Sequence, residues 1–486
     1  MLLENRSTND DETSSLMPFT PSDACLRPLG ASGLYCHPLG FGCYRIAEGQ
    51  PEHQAALHAY LDRGGNLLDT SANYADGLSE VLVGRVLKNY PRQKVIVVTK
   101  GGYIQGQNMA LAKSRSFPEV VKYGEGLWHC IHPEFLETQI SLSLERMQLD
   151  RIDVYLLHNP EYFLNDRAQK GKLEAHDVEE FYRRIRQAFA YLETQVQAGT
   201  IEWYGISSNN FGLPGSDSTM TSVSRCLEEA RRISSAPRFR VVQLPMNVYE
   251  CGGALEGNNN GKAVLEFCRA QGLGVLVNRP LNAFHRNQLL RLVDFAVGRD
   301  NPISPKNLPD LLKPLHQVEQ ELAQELKIPL LDGGSGGLAG LLNQVLPQVD
   351  SMEHWESVLD RFVIPPIRHW LGTFRSRFQD NPLWEHWEEE FVGQLSPLFQ
   401  KLEGYLLSRQ QVQSDHVRNR LDAAGFRASS LPLSQKALGL LLNLERISCV
   451  LNGMRRVSYV DDAFQALAVK ELKARQILAN FHDQHY

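Results

Sequence analysis

The sequence predicts an α/β chain folded as a closed (β/α)8 barrel of the TIM type, with a helical insertion between the seventh strand and the last strand unit. Three observations carry this expectation. From about residue 39, short β-branched or apolar runs alternate with longer helical patterns. That alternation needs crossover connections, and crossovers make neighbouring strands parallel. Eight strand units are the number that closes such a sheet, provided a strand far downstream joins the first seven.

The candidate strands are 39–43, 66–68, 94–99, 152–157, 202–206, 241–244 and 274–277, with the eighth at 448–451. The helices between and after them are expected at 52–63, 78–89, 133–147, 178–198, 218–234, 261–271, 433–445 and 456–465. The helix at 178–198 carries Phe181, Ile185, Phe189 and Leu192, the spacing of a single apolar face. Pro133 suits the first turn of its helix, where a missing N–H costs nothing. Two short apolar runs flank the turn Gly30-Ala31-Ser32-Gly33 and predict a hairpin that caps the barrel bottom.

Three segments follow: a disordered tail at 1–24, the barrel at 25–285 plus 432–486, and the insertion at 286–431. The insertion reads as helical over 315–327 and 384–409. It holds four of the six tryptophans, Trp355, Trp370, Trp384 and Trp387, which predicts aromatic packing of its own. The Gly-rich stretch 332–337 is expected to be a loop. No Gly-Lys-Ser/Thr follows it, so it is not a phosphate cradle.

Composition excludes several classes. The 486 residues are 43% hydrophobic and 22% charged, with a net charge of −6. That leaves enough apolar side chains for a large core and no basic surplus for a nucleic-acid binder. No apolar run is long enough to cross a membrane. The first residues are polar and acidic, unlike a secretory or transit signal. The eight cysteines are scattered without a C-x-x-C pair, which predicts reduced thiols and a cytoplasmic protein.

The chemistry is expected where strands end. The second strand runs into Asp69-Thr70-Ser71-Ala72-Asn73-Tyr74, the third into Thr99-Lys100-Gly101 and the fourth into Leu157-His158-Asn159. Strand C-termini converge on one mouth in a barrel, so Asp69, Tyr74, Lys100 and His158 should meet there. A free phenol has a pKa of about 10, and a neighbouring ammonium would lower it. Asp69 would hold that ammonium charged and in place. His158 would bond the same substrate oxygen or relay a proton. None of these side chains supplies a hydride, so such a site needs a nicotinamide cofactor. The loop 103–130 ends in His129-Cys130-Ile131-His132, whose spacing is poor for a tetrahedral zinc site. We expect no metal there and read the segment as the lead-in to the helix at 133.

These motifs resemble the aldo-keto reductase superfamily. The matching stretches are D-T-S-A-N-Y-A-D-G-L-S-E at 69–80, T-K-G at 99–101, L-H at 157–158, Y-G-I-S-S-N at 204–209, Gln243, R-P-L at 279–281 and G-M-R-R at 453–456. The resemblance covers about 25–284 and 432–465. It implies that Asp69, Tyr74, Lys100 and His158 form a catalytic tetrad, with Tyr74 as general acid in NADPH-dependent reduction of an aldehyde or ketone. It implies that Ser207, Ser208 and Gln243 hold the nicotinamide carboxamide and that Arg279 pairs with the cofactor phosphates, the alternative for Arg279 being a structural salt bridge. It also places Gly453, Arg455, Arg456, Tyr459 and Asp462 at the adenosine phosphate, where two guanidiniums favour NADPH (NADP+) over NADH. Four positions depart from the family pattern. Ser208 stands where many relatives have Asn, Arg279 where many have Ser, Ala463 where Asn is common, and Ala75 where Gly commonly follows the tyrosine.

An insertion after strand seven leaves the barrel on its catalytic face. It is therefore expected to narrow the mouth or to contact another subunit or partner, the alternative being a bundle docked aside. The competing function is a nicotinamide-binding regulatory or scaffold protein that uses the insertion to engage a protein partner. The expected small-molecule partner is a carbonyl compound, with no nucleic acid and no membrane.

Overall fold

The computed structural model describes residues 26–285, 288–296, 308–331, 336–349, 351–427 and 430–483. The tail expected at 1–24 and most of the Gly-rich stretch 332–337 lie outside the described residues. Eight strands form the barrel: β1 Leu39–Gly42, β2 Leu67–Asp69, β3 Ile96–Gly101, β4 Ile152–His158, β5 Ile201–Ser207, β6 Phe239–Pro245, β7 Gly274–Asn278 and β8 Cys449–Asn452. Each pairs in parallel with its neighbours. The ring closes where β8 meets β1, with Val450 opposite Leu39 and Asn452 opposite Phe41. The distant strand thus completes the sheet and removes both edges.

Alternation along each strand builds the interior. Leu67, Ile96, Val98, Val154, Leu156, Trp203, Val241, Leu276, Cys449 and Leu451 form one buried cluster. Leu29 and Cys36 join it from the antiparallel hairpin Arg27–Pro28 and Tyr35–Cys36. The hairpin turns tightly at Gly30, φ +58, where an added Cβ would sit 2.3 Å from the Gly274 nitrogen. Only glycine fits so close to another backbone.

The outer helices follow their sequence patterns. Ala175–Ala198 buries Phe181, Ile185, Ala188, Phe189 and Leu192 on one face. It starts with a reciprocal cap between Glu174 and Asp177 and stops at Gly199, φ 79. The helix Pro133–Met147 matches its predicted range. The stretch 103–130 corrects the expectation of a plain loop. It holds the helix Gln107–Ser114 and a three-stranded antiparallel sheet of Tyr103–Ile104, Val121–Gly124 and Leu127–His129. Strands this short carry no readable alternation. The three candidate zinc ligands of that segment serve separate partners. His129 Nε2 lies 2.6 Å from the His158 carbonyl, Cys130 Sγ points to Pro118 O at 3.3 Å, and His132 caps the following helix.

The described residues pack as two compact units. One carries the barrel, up to Leu290 and from Asp422; the other is Arg291–Leu421. The second is helical, with Leu308–Glu325, Gly337–Val345, Met352–Val358 and Ile364–Arg377 packed with the long helix Pro382–Ala423. The helix at 382–423 outruns the predicted 384–409 and continues past Pro397. Its core contains all four tryptophans of the segment. Glu319, 2% exposed, accepts the N–H groups of Leu338 and Ala339 at 2.6 and 3.1 Å, capping a helix start from across that core. No helix among the described residues is long and apolar enough to cross a membrane.

Candidate active site

The inward register that builds the core ends in polar residues at one end of the barrel. Two positions beyond Leu67, Val98, Leu156, Val241 and Leu276 stand Asp69, Lys100, His158, Gln243 and Asn278. The same alternation therefore supplies apolar packing below and a polar rim above.

Lys100 is the hub of that rim and is fully buried. Its Nζ donates to Asp69 Oδ2 at 2.8 Å, to the Thr70 carbonyl at 2.8 Å and to the Tyr74 hydroxyl at 3.3 Å. Burial pushes the lysine pKa down, but the Asp69 carboxylate and the Tyr74 phenol outweigh it, and the ammonium is retained. Burial raises the Asp69 pKa against the pull of Lys100 and of Gln243, whose Nε2 donates to Oδ1 at 2.8 Å. Tyr74 departs from the sequence expectation. Lys100 does draw its pKa down, yet burial wins and sets it up to about 12, with Asp69 adding to the rise. The phenol is therefore a held proton, with its stabilising cation already in place.

His158 stands edge-on to Tyr74, ring centres 5.9 Å apart, and Ser71 Oγ lies 3.0 Å from its Nδ1. Burial, then Lys100 and His129, press its pKa well below the ordinary range, so the imidazole is neutral. Tyr103 packs against the same ring at 4.6 Å and accepts from Asn159 Nδ2 at 2.7 Å. Thus the four predicted tetrad residues converge. Thr70, Ser71, Tyr103 and Asn159 join them without having been singled out, although Ser71 sits inside the motif that begins at Asp69.

Tyr74 opens a tight turn, Tyr74–Gly77, in which Ala75, Asp76 and Gly77 have φ of 48, 54 and 91. Left-handed backbone costs an alanine about 1–2 kcal/mol. Ala75→Gly is therefore expected to stabilise the protein by about 1 kcal/mol after the added freedom of the unfolded chain is subtracted. A urea midpoint that stays put at unchanged slope would show the turn is unstrained.

The residues predicted to hold a dinucleotide occupy neighbouring strand ends. Ser207 Oγ donates to Gln243 Oε1 at 3.0 Å, and Asn278 Nδ2 donates to the same oxygen at 3.2 Å. Ser208 Oγ accepts the Asn210 N–H at 3.1 Å. Arg279, φ 54, follows β7 and pairs with Glu250 at 2.6 Å. Gly453 is exposed and Arg455 half-buried between β8 and the helix Val457–Gln465. Arg456 meets Glu52 at 3.3 Å, both half exposed, and its guanidinium lies 5.8 Å over the Tyr459 ring. Asp462 accepts from Gln435 Nε2 at 2.8 Å.

A model of the Aldo/keto reductase family matches residues 38–289, more than half of the chain. The chain belongs to the aldo/keto reductase family. NADH-specific methylglyoxal reductase of Escherichia coli (strain K12) is 30% identical over 169 residues, 30% of this chain and 49% of that protein. 6-Dehydroglucose reductase of Novosphingobium aromaticivorans is 31% identical over 181 residues, 33% of this chain and 53% of that protein. The chain thus spans about half the length of these curated relatives. Among solved structures, an aldo/keto reductase from Klebsiella pneumoniae in complex with NADP and acetate aligns with a TM-score of 0.45 at 14% identity, over 95% of each chain.

The rim of this aldo/keto reductase fits a dinucleotide. Asn278 Oδ1 and Arg279 Nε are buried and lack a hydrogen-bond partner among the described residues. Buried polar atoms of this kind each cost about 1–3 kcal/mol when left unpaired. A dinucleotide offers an acceptor for the guanidinium and a donor for the amide oxygen.

Proposed function

We propose that this chain is an NADPH-dependent oxidoreductase that reduces an aldehyde or ketone to the alcohol, with Tyr74 as general acid. The observation that carries the reading is Lys100 Nζ, fully buried and bonded at once to Asp69 and to the Tyr74 hydroxyl. That wiring has a defined chemical use. Tyr74 donates its proton to the carbonyl oxygen as the alcohol forms. The phenolate left behind faces the Lys100 ammonium, which Asp69 and the Thr70 carbonyl hold in place. Gln243 fixes Asp69 in turn. The neutral His158 ring, steadied by Ser71, bonds the same substrate oxygen and orients the carbonyl. The bound nicotinamide supplies the hydride. In the oxidising direction the same residues take the proton back.

Ser207, Ser208 and Gln243 would hold the carboxamide, Arg279 the diphosphate, and Gly453, Arg455, Arg456, Tyr459 and Asp462 the adenosine end. Arg456 is available for a 2′-phosphate because its exposed contact with Glu52 is weak. Replacing Arg455 and Arg456 together by alanine is expected to weaken NADPH at least about tenfold more than NADH. Equal losses in a fluorescence titration would remove the phosphate argument.

The deciding experiment is a cofactor titration followed by NADPH-consumption assays over aldehydes, ketones and sugars. Turnover on none of them, with cofactor still bound, would favour the second reading, a regulatory or scaffold protein. That reading draws on the self-contained core of Arg291–Leu421. The seven described cysteines are all buried and unpaired, which supports a reducing, cytoplasmic setting.

A further inference from the structure

His158 can donate to a substrate carbonyl only through a nitrogen that carries a proton. Its ring is neutral, so it has one N–H and one bare nitrogen. Nδ1 faces Ser71 Oγ at 3.0 Å, which leaves Nε2 for the substrate oxygen. Which of the two holds the proton is decided by what Ser71 offers to Nδ1.

Ser71 is buried, and its hydroxyl has a single proton to give. Three acceptors surround it: Asn73 Oδ1 at 2.8 Å, His158 Nδ1 at 3.0 Å and the Lys100 carbonyl at 3.3 Å. Two oxygens as close as those of Ser71 and Asn73 need a proton between them. An amide oxygen has none, so Ser71 supplies it. Asn73 Nδ2 donates in turn to Gln105 Oε1 at 3.1 Å. Every bond in this row therefore points away from His158. Ser71 meets the ring with a lone pair, Nδ1 carries the ring proton, and Nε2 is a bare acceptor. That state suits an alcohol hydroxyl and repels a carbonyl oxygen.

The row can also run the other way. An amide turned over exchanges its oxygen for its NH2. With both amides turned, Gln105 donates to Asn73, Asn73 to Ser71, and Ser71 to Nδ1. The ring then releases its Nδ1 proton to water and takes one from water at Nε2. Both polarities keep the same hydrogen bonds, so a contact at Nε2 is enough to choose between them.

We propose that Ser71, Asn73 and Gln105 are positioning residues that set the His158 tautomer: as the row stands it makes Nε2 an acceptor, and a bound carbonyl reverses it to make Nε2 a donor. The use made of the tautomer rests on the reductase reading above. The coupling of Gln105 to His158 does not.

The test is histidine 15N NMR on the full ligand-free chain at neutral pH. A bare ring nitrogen resonates far downfield of a protonated one, and His158 is assigned by its loss in His158→Gln. In the wild type the bare nitrogen is expected to be Nε2. Gln105→Glu can only accept, so it holds the row as it stands and should keep that pattern. Gln105→Lys can only donate, so it should reverse the row and leave Nδ1 bare in most molecules. Ser71→Ala cuts the row. With it added, Gln105→Glu and Gln105→Lys should give the same His158 spectrum. A charge acting across space would keep the two spectra apart in that background, and the proposal fails. It fails too if the wild type shows a bare Nδ1, or if Gln105→Lys leaves Nε2 bare. With the carbonyl that the NADPH-consumption assays identify, Gln105→Glu should lower kcat/KM at least about tenfold and Gln105→Lys less than about threefold. Equal losses would overturn the reversal by a carbonyl. A wild type that reduces no carbonyl removes the reductase reading itself, while the Ser71→Ala comparison still decides the coupling.

Discussion

Tyr74→Phe is expected to lower carbonyl turnover by about a thousandfold or more while NADPH affinity stays within about twofold. The substitution removes one oxygen and little else. The ring keeps its edge contacts with Tyr44 at 5.1 Å and His158 at 5.9 Å, and the Lys100 ammonium still lies 4.9 Å from its centre. Lys100 retains Asp69 and the Thr70 carbonyl at 2.8 Å each, so no buried charge is stranded. What disappears is the proton that burial holds on the phenol up to about pH 12. Reduction then has no acid beside the carbonyl, since Lys100 is enclosed and His158 is neutral. Single-turnover measurements with saturating NADPH isolate the effect from product release. A variant that reduced carbonyls at near the wild-type rate would move the acid to another residue.

The barrel was legible because its signal is local and repeated. All eight strands fall within two residues of the ranges read from apolar runs, and the helix Pro133–Met147 coincides with its pattern. The tetrad was legible for the same reason: each member closes a strand, and strand ends in a closed parallel barrel share one mouth. What escaped depends on contacts between positions far apart. The salt bridge open to Arg279 in the sequence finds its partner in Glu250, beyond the end of β6, and Glu161 reaches Asn209 from a different strand end. Neither partner shows any pattern in the linear order. The direction of the Tyr74 pKa escaped because a lysine neighbour can be read from motifs, whereas the burial that overrides it is a property of the assembled rim. The small sheet within 103–130 was missed because its strands of two to four residues are too short to alternate.

Lys100→Met should have two separable effects. The first is on stability. Asp69 is 3% exposed, and without the ammonium its charge keeps only the Gln243 donor. Breaking a buried ion pair from one side costs about 3–5 kcal/mol. The loss should depend on pH with a definite sign. The Asp69 pKa is already raised by burial in the intact site, and removal of the cation raises it further. A carboxyl whose folded pKa lies above its unfolded value destabilises at high pH, and the penalty fades as pH falls through the folded value. The variant should therefore lie closest to wild type in mildly acidic buffer and fall behind as pH rises. The second effect is on turnover, through loss of the cation that receives the Tyr74 phenolate. Adding Asp69→Asn tells the two apart. It removes the stranded charge and keeps an oxygen for Gln243 Nε2, so the double variant should regain most of the stability and none of the rate. Recovery of both together would show that Lys100 serves the fold alone, and the phenolate would need another partner.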